Sequence, residues 1–213
     1  VQSYIRKNRR YAEFKLLNNL SNLGKSQTVK HGILHTTGDL VVIQDADLEY
    51  NPNDFIPFVD TFLRYPNTDV IYGNRFNGGN TFISATHLLG NKFVTAVSNL
   101  FTGIKGFAPR DMETCYKMAK GDLFRELMST LESTTNFGLE PEMTAKFSKY
   151  RKLDGKRLNL KQLDIYYKPR SEAEGKKMRW FKHGFEAIQE IVRFNTNKRE
   201  TFIYDNTNTL WKE

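Results

Sequence analysis

The chain has 213 residues, 39% of them hydrophobic and 13% aromatic, with a single cysteine and a formal net charge of +8. Such a composition fits one large folded domain, or one domain plus an appendage, and excludes a disordered chain. The lone Cys115 excludes an internal disulfide framework and a cysteine zinc site, and no apolar run nears the ~20 residues of a membrane span.

The positive balance suits an anionic partner, though a solvated Lys-rich surface would give the same number. Residues 1–10 are polar and basic, unlike a signal peptide, and read as the end of a helix. YAEFKLLNN (11–19) alternates enough for a strand. SNLGKS (21–26) makes a turn and starts a helix that continues through QTVKHGILHTT (27–37), with Val29, Ile33 and Leu34 on one side. Gly38 ends it, and DLVVIQ (39–44) reads as a short buried strand.

NPNDFIPFVDTFLRYP (51–66) opens on an Asn/Asp cap and spaces Phe55, Phe58, Val59 and Phe62 as a helix does. TDVIYGNRF (68–76) is a second strand, followed by a glycine loop at 77–80. Residues 84–101 carry a longer helical pattern that includes Leu88, Leu89, Phe93 and Val97. Helices are predicted over 118–131, 139–150 and 181–194, and a strand over 158–167. Helix and strand alternate over the first ~75 residues, which argues for an α/β domain with a largely parallel sheet. The expected division is one domain over 1–195 and a tail over 196–213.

The stretch VVIQDADLEYNP (41–52) ends a buried strand on three acids, Asp45, Asp47 and Glu49. Parallel sheets bind ligands beyond the carboxyl ends of their strands. Asp45 and Asp47 alternate onto one side, and a hard divalent cation relieves their repulsion. An EF-hand loop is excluded, because its sixth and twelfth positions would be Tyr50 and Ile56 rather than Gly and Glu. A phosphatase DxDx element followed by Thr or Val is disfavoured by Glu49, and a helix-capping turn accounts for one Asp only. A nucleotide-sugar site remains, in which a metal bridges the carboxylates and a pyrophosphate.

Several stretches in order then carry a resemblance: NLGKSQTVKHGILHTTGDLVVIQDADLEYNP (22–52), VIYGNRF (70–76), DMETCYKM (111–118), EPEMTAK (140–146) and YYKPRSEAEGKKMRW (166–180). Together they resemble inverting family 2 glycosyltransferases of the GT-A fold, and within them the dolichyl-phosphate mannosyltransferase and polyprenyl-phosphate glycosyltransferase branch. The family's first strands, with V-P-x-Y-N-E and D-D-G-S elements, have no counterpart, so the expectation is a chain lacking roughly 40 N-terminal residues. A helix at 84–92 that often carries Arg in relatives offers His87 and Lys92.

The resemblance implies roles. Asp45 and Asp47 would hold Mg²⁺ or Mn²⁺, with Glu49 a third ligand or a group behind them. Gly24 and Lys25 would close over the nucleotide. Arg75 would face a donor or acceptor phosphate, and Asp111 would be the acceptor-side carboxylate. Glu140 and Glu142 would lie beneath the acceptor, and Arg170, Lys176 and Lys177 would form a basic segment. Surface, capping or solvated roles for these residues stay open.

The implied reaction moves a hexose from a GDP- or UDP-sugar to a polyprenyl phosphate, whose ionised oxygen needs no strong base. The alternatives are transfer to a saccharide hydroxyl, with Asp111 as the base, and a non-catalytic fragment. The expected setting is cytoplasmic, peripheral to an anionic membrane through the basic segment 176–185, with no nucleic-acid partner.

Overall fold

The computed structural model describes residues 2–8, 10, 12–77, 80, 85–135, 137–170, 180–196 and 201–205. The central sheet has four strands in the order β1 (Leu40–Val42), β3 (Lys117–Lys120), β2 (Val70–Asn74) and β5 (Leu160–Asp164). β2 is parallel to β5, whereas β3 runs antiparallel to both β1 and β2. Three of the four strands therefore point one way and β3 opposes them. VIYGN of β2 is buried at every position, as befits a strand covered on both faces.

The helices are α1 (Gln2–Asn8), α2 (Gly24–Leu34), α3 (Phe55–Arg64), α4 (Ala85–Thr102), α5 (Gly121–Ser129), α6 (Leu139–Lys149) and α7 (Trp180–Thr196). α3 follows a 3-10 turn at Pro52–Asp54 whose cap, Asn51, accepts a hydrogen bond from the Asn53 N–H. Phe58 and Phe62, one turn apart, are its buried residues, while Val59 of the predicted stripe is exposed. α6 is buried from Leu139 through Ser148. Its Thr144 meets the Tyr72 hydroxyl of β2 at 3.0 Å, and α4 and α7 both pack against it.

Three predicted elements differ. Residues 12–19 join no strand; Phe14, Leu16 and Leu17 are exposed, and among the described residues no ladder hydrogen bonds hold the segment. Residues 117–120 are a strand, not the start of a helix: KMAK is buried throughout and pairs on both sides, and Gly121 begins α5. Gly121 sits so close to the Gly38 carbonyl that no Cβ fits there without a backbone shift. Within the expected tail, β6 (Phe202–Tyr204) pairs in parallel with β4 (Tyr150–Lys152). Tyr204 is buried and donates to Asp122 at 2.9 Å.

Asp69, just before β2, is fully buried and joins the sheet to the β4 turn. It pairs with Lys120 at 3.1 Å and Lys152 at 2.7 Å, and accepts from the Asn159 N–H at 2.8 Å. Removing it strands two lysines in a poorly hydrated place. Asp69→Ala should lower unfolding free energy by about 3–5 kcal/mol in urea titration.

Candidate active site

The loop Asp45–Glu49 leaves β1 and is pinned to the segment after β5. Tyr50 bridges Tyr167 antiparallel, and the Lys168 N–H donates to the Glu49 carbonyl at 2.9 Å. Leu48 within it is exposed and sits at φ 62°, the left-handed region that L side chains avoid. Beside this loop lies a cavity of about 470 Å³ whose walls include Lys25, Asp45, Asp47, Glu49, Arg75, Glu113, Cys115, Glu140 and Tyr167.

Lys25, on the first turn of α2, reaches Glu140 at 2.9 Å and Asp45 at 3.3 Å. Burial alone would lower the Lys25 pKa, but the two carboxylates raise it well above the ordinary value. Burial likewise works to raise Glu140, and Lys25 with Lys117 outweighs it, so Glu140 is held below the usual range. Gly24 at φ 73° starts α2, its N–H donating to Asn22. Arg170 spans Asp47 at 3.4 Å and Glu49 at 3.5 Å.

The other expected site residues fall as follows. Glu49 turns inward: one oxygen accepts from the Tyr167 hydroxyl at 3.1 Å and the other from the Arg170 N–H at 3.0 Å. These contacts brace the loop from behind and match the second of its two expected places, a group behind the aspartates. Asp111 is buried with both oxygens held by Arg75: Nε at 2.6 Å, Nη2 at 2.8 Å, and the Arg75 N–H at 3.1 Å. That bidentate grip occupies both Asp111 oxygens and neutralises Arg75, and Asp111 is not among the residues that line the cavity. Burial opposes the Arg75 charge, and Asp111 more than reverses this, raising the pKa well above its usual value.

Glu142 is buried against Lys146 at 2.6 Å and accepts from the Glu132 and Ser133 N–H groups, away from the cavity. Lys92 lies over the Phe76 ring, 5.7 Å from its centroid, and is not among the cavity residues, whereas its neighbour Asn91 is. Lys176 and Lys177 fall outside the described residues. No helix among the described residues is long and apolar enough to cross a membrane.

The residue that sequence reasoning passed over is Glu113, two positions beyond Asp111 in DMETCYKM. Its side chain lines the cavity, and Oε1 is sealed from solvent with no hydrogen-bond partner among the described residues. Burial pushes its pKa up from 4.5 to about 7; Glu140 adds to the rise, and Lys117 and Arg75 oppose it. Its acid type and its alternation with Asp111 were the available signal. A second, mostly apolar cleft of about 730 Å³ between α4 and α7 opens beside it, walled by Leu89, Phe93, Val94, Phe185 and Ile188. Asn91, Glu113, Phe137 and His183 line both spaces.

A divalent cation fits this arrangement in one way. Among the described residues no group of three or more His, Cys, Asp or Glu side chains forms a closed site. Asp45 and Asp47 are two part-exposed oxygen donors whose contacts to Lys25 and Arg170 are long enough to exchange. Hard cations are commonly held by one or two carboxylates, with substrate phosphates completing the shell.

A family model described as Glycosyl transferase family 2 matches residues 1–119. Among solved structures, the chain is similar to glucosyl-3-phosphoglycerate synthase from Mycobacterium tuberculosis in complex with Mn²⁺, UDP-glucose and phosphoglyceric acid. The two share 18% identity with a TM-score of 0.54, over 86% of this chain and 57% of that one. It is also similar to mannosyl-3-phosphoglycerate synthase from Rubrobacter xylanophilus, at 15% identity and TM-score 0.54, over 80% and 50% of the two chains. The chain thus spans between half and three-fifths of the length of these proteins, and the likeness is one of fold.

Two outcomes test the local physics. A folded-state pKa raised above the unfolded value stabilises most at low pH and is lost as pH rises. Unfolding midpoints should therefore fall between pH 4.5 and about 7 through Glu113. Glu113→Gln should flatten that part of the curve. Leu48→Asn, tolerated at positive φ, should raise stability by roughly 0.5–1 kcal/mol in thermal unfolding.

Proposed function

The chain belongs to glycosyl transferase family 2, with a GT-A-like fold, and on that premise we propose that the Asp45 cavity holds a nucleoside-diphosphate sugar and hands its hexose to an acceptor with inversion. The observation that carries this reading is the pair Asp45 and Asp47 at the end of β1, facing a cavity that adjoins a separate apolar cleft. The polar space suits the donor. The apolar cleft suits the hydrocarbon part of an acceptor.

On this reading Asp45 and Asp47 hold a divalent cation, which when bound neutralises charge on the leaving diphosphate. Lys25 screens the same anion from the α2 side, and Arg170 keeps the loop closed while Glu49 fixes Arg170 in turn. The acceptor oxygen attacks the anomeric carbon from the side away from the diphosphate. The bond to the diphosphate breaks, and its electron pair leaves with the nucleotide.

For the nucleophile, a hydroxyl is favoured over a lipid phosphate. Lys25, Arg75 and Arg170 already face carboxylates, which leaves little positive field among the described residues for a second dianion. A polyprenyl phosphate is the second reading, favoured by the exposed apolar Leu89, Phe93 and Phe185 of the cleft; peripheral membrane contact belongs with it. The glycosyl-3-phosphoglycerate synthases act by their names on a small phosphorylated acceptor, which is a further candidate within the hydroxyl class.

Calorimetric titration of UDP and GDP with Mn²⁺, and again with chelator, tests the donor side. Binding should require the metal and should weaken at least about tenfold in Asp47→Ala, equivalent to about 1.4 kcal/mol. Metal-independent binding, or binding unchanged by the substitution, would move the donor elsewhere.

A further inference from the structure

Most carboxylates around the cavity are engaged. Asp45 and Glu140 face Lys25, Asp47 and Glu49 face Arg170, and Asp111 behind the wall is clasped by Arg75. Glu113 differs: Oε1 is buried and has no partner among the described residues. Leaving such an acceptor bare is unfavourable and persists where something other than packing requires it. Its placement suggests what that is. Glu113 lines both the polar cavity and the apolar cleft, where the proposed donor sugar and the proposed acceptor would meet.

We infer that Glu113 is the general base of the transfer, and that the acceptor is accordingly of the hydroxyl class. The inference rests on the nucleotide-sugar reading of the Asp45 cavity. The Glu113 carboxylate takes the hydroxyl proton as the acceptor oxygen bonds to the anomeric carbon. The carbon–oxygen bond to the diphosphate breaks in the same event, and the nucleoside diphosphate departs with its electron pair. The proton then passes from Glu113 to solvent.

The surroundings tune the group for this. Burial and Glu140 on α6 favour its protonated form, and Asp111 on its own segment adds to them. Lys117 of β3 and Arg75 beyond β2 oppose them. His87 of α4 and His183 of α7 complete the walls, and Lys25, Asp45 and Asp47 lie across the cavity. The balance leaves a pKa of about 7, where a base is half ionised at neutral pH and strong enough to accept a proton. A phosphate acceptor would need no such group, being ionised already. Asp111, with both oxygens on Arg75, has none to offer.

The test measures UDP release from UDP-glucose with Mn²⁺, using water and octyl β-glucoside as hydroxyl probes, with UDP affinity followed by calorimetry. If GDP is the nucleotide bound, GDP-mannose replaces UDP-glucose. Wild-type kcat should rise with pH and level off above about 7. Glu113→Gln should lower kcat roughly 100-fold and remove the rising limb, with nucleotide affinity unchanged. Glu113→Asp should keep a reduced rate with a displaced limb, and thermal midpoints establish that both variants fold.

A Gln variant within about threefold of wild type, with nucleotide bound, would overturn the base while leaving the donor site standing. So would a wild type that binds nucleotide and turns over undecaprenyl phosphate but neither hydroxyl probe nor 3-phosphoglycerate, or none of the four. A folded wild type that binds neither UDP nor GDP would overturn the nucleotide reading itself, and the base with it.

Discussion

The Arg75–Asp111 pair is the contact on which the site depends. It ties the end of β2 to the segment that enters β3 with three hydrogen bonds inside the protein. β3 runs against its neighbours, so the chain enters it at the edge where β1 and β2 leave. The Asp45 loop, Arg75 and Glu113 arrive together for that reason. From Arg75 the contacts continue outward. Its guanidinium lies 5.1 Å from the Tyr167 ring centroid, Tyr167 donates to Glu49, and Glu49 accepts from Arg170, which reaches Asp47. A bidentate pair excluded from water holds such a chain in register because either partner alone would be an unpaired buried charge.

Net charge says little about this site. The +8 of the whole chain invited a phosphate-binding reading, yet the described cations of the cavity are matched by carboxylates. Part of the excess lies elsewhere, around the turn after α6. Burial lowers the pKa of Lys105 there, helped by Lys149 and Arg151, and burial with Arg157 lowers that of Arg151. Where a charge sits, and what already faces it, decides the electrostatics of a pocket more than the sum does.

Strong local periodicity was legible in the sequence. The Asn51 cap, the Phe58–Phe62 stripe and the three acids after a buried run all describe elements that form where the pattern put them. β3 was hidden because KMAK has charged ends and abuts a helix; its strand character comes from neighbours β1 and β2, which are distant in sequence. The segment 12–19 alternates as a strand does but has no ladder among the described residues, and alternation without a partner makes no sheet. Asp111 and Glu113 look equivalent in DMETCYKM. Arg75, 36 residues away, takes the first and leaves the second facing the cavity.

The burial of α6 sets a hierarchy of local stability. An eleven-residue helix enclosed along nearly its whole length opens only with the domain, so its amides should be among the last to exchange with deuterium. Glu140 belongs to that slow element. Lys25, its partner, belongs to α2, most of whose residues are half-exposed. The ion pair thus joins a rigid wall to a looser one. α2 is itself held by Ile33 in the core and by hydrogen bonds from Ser26, Gln27 and Lys30 to the 131–135 segment, so the Lys25 side of the cavity can loosen only as far as that helix does, while the Glu140 side stays fixed with α6.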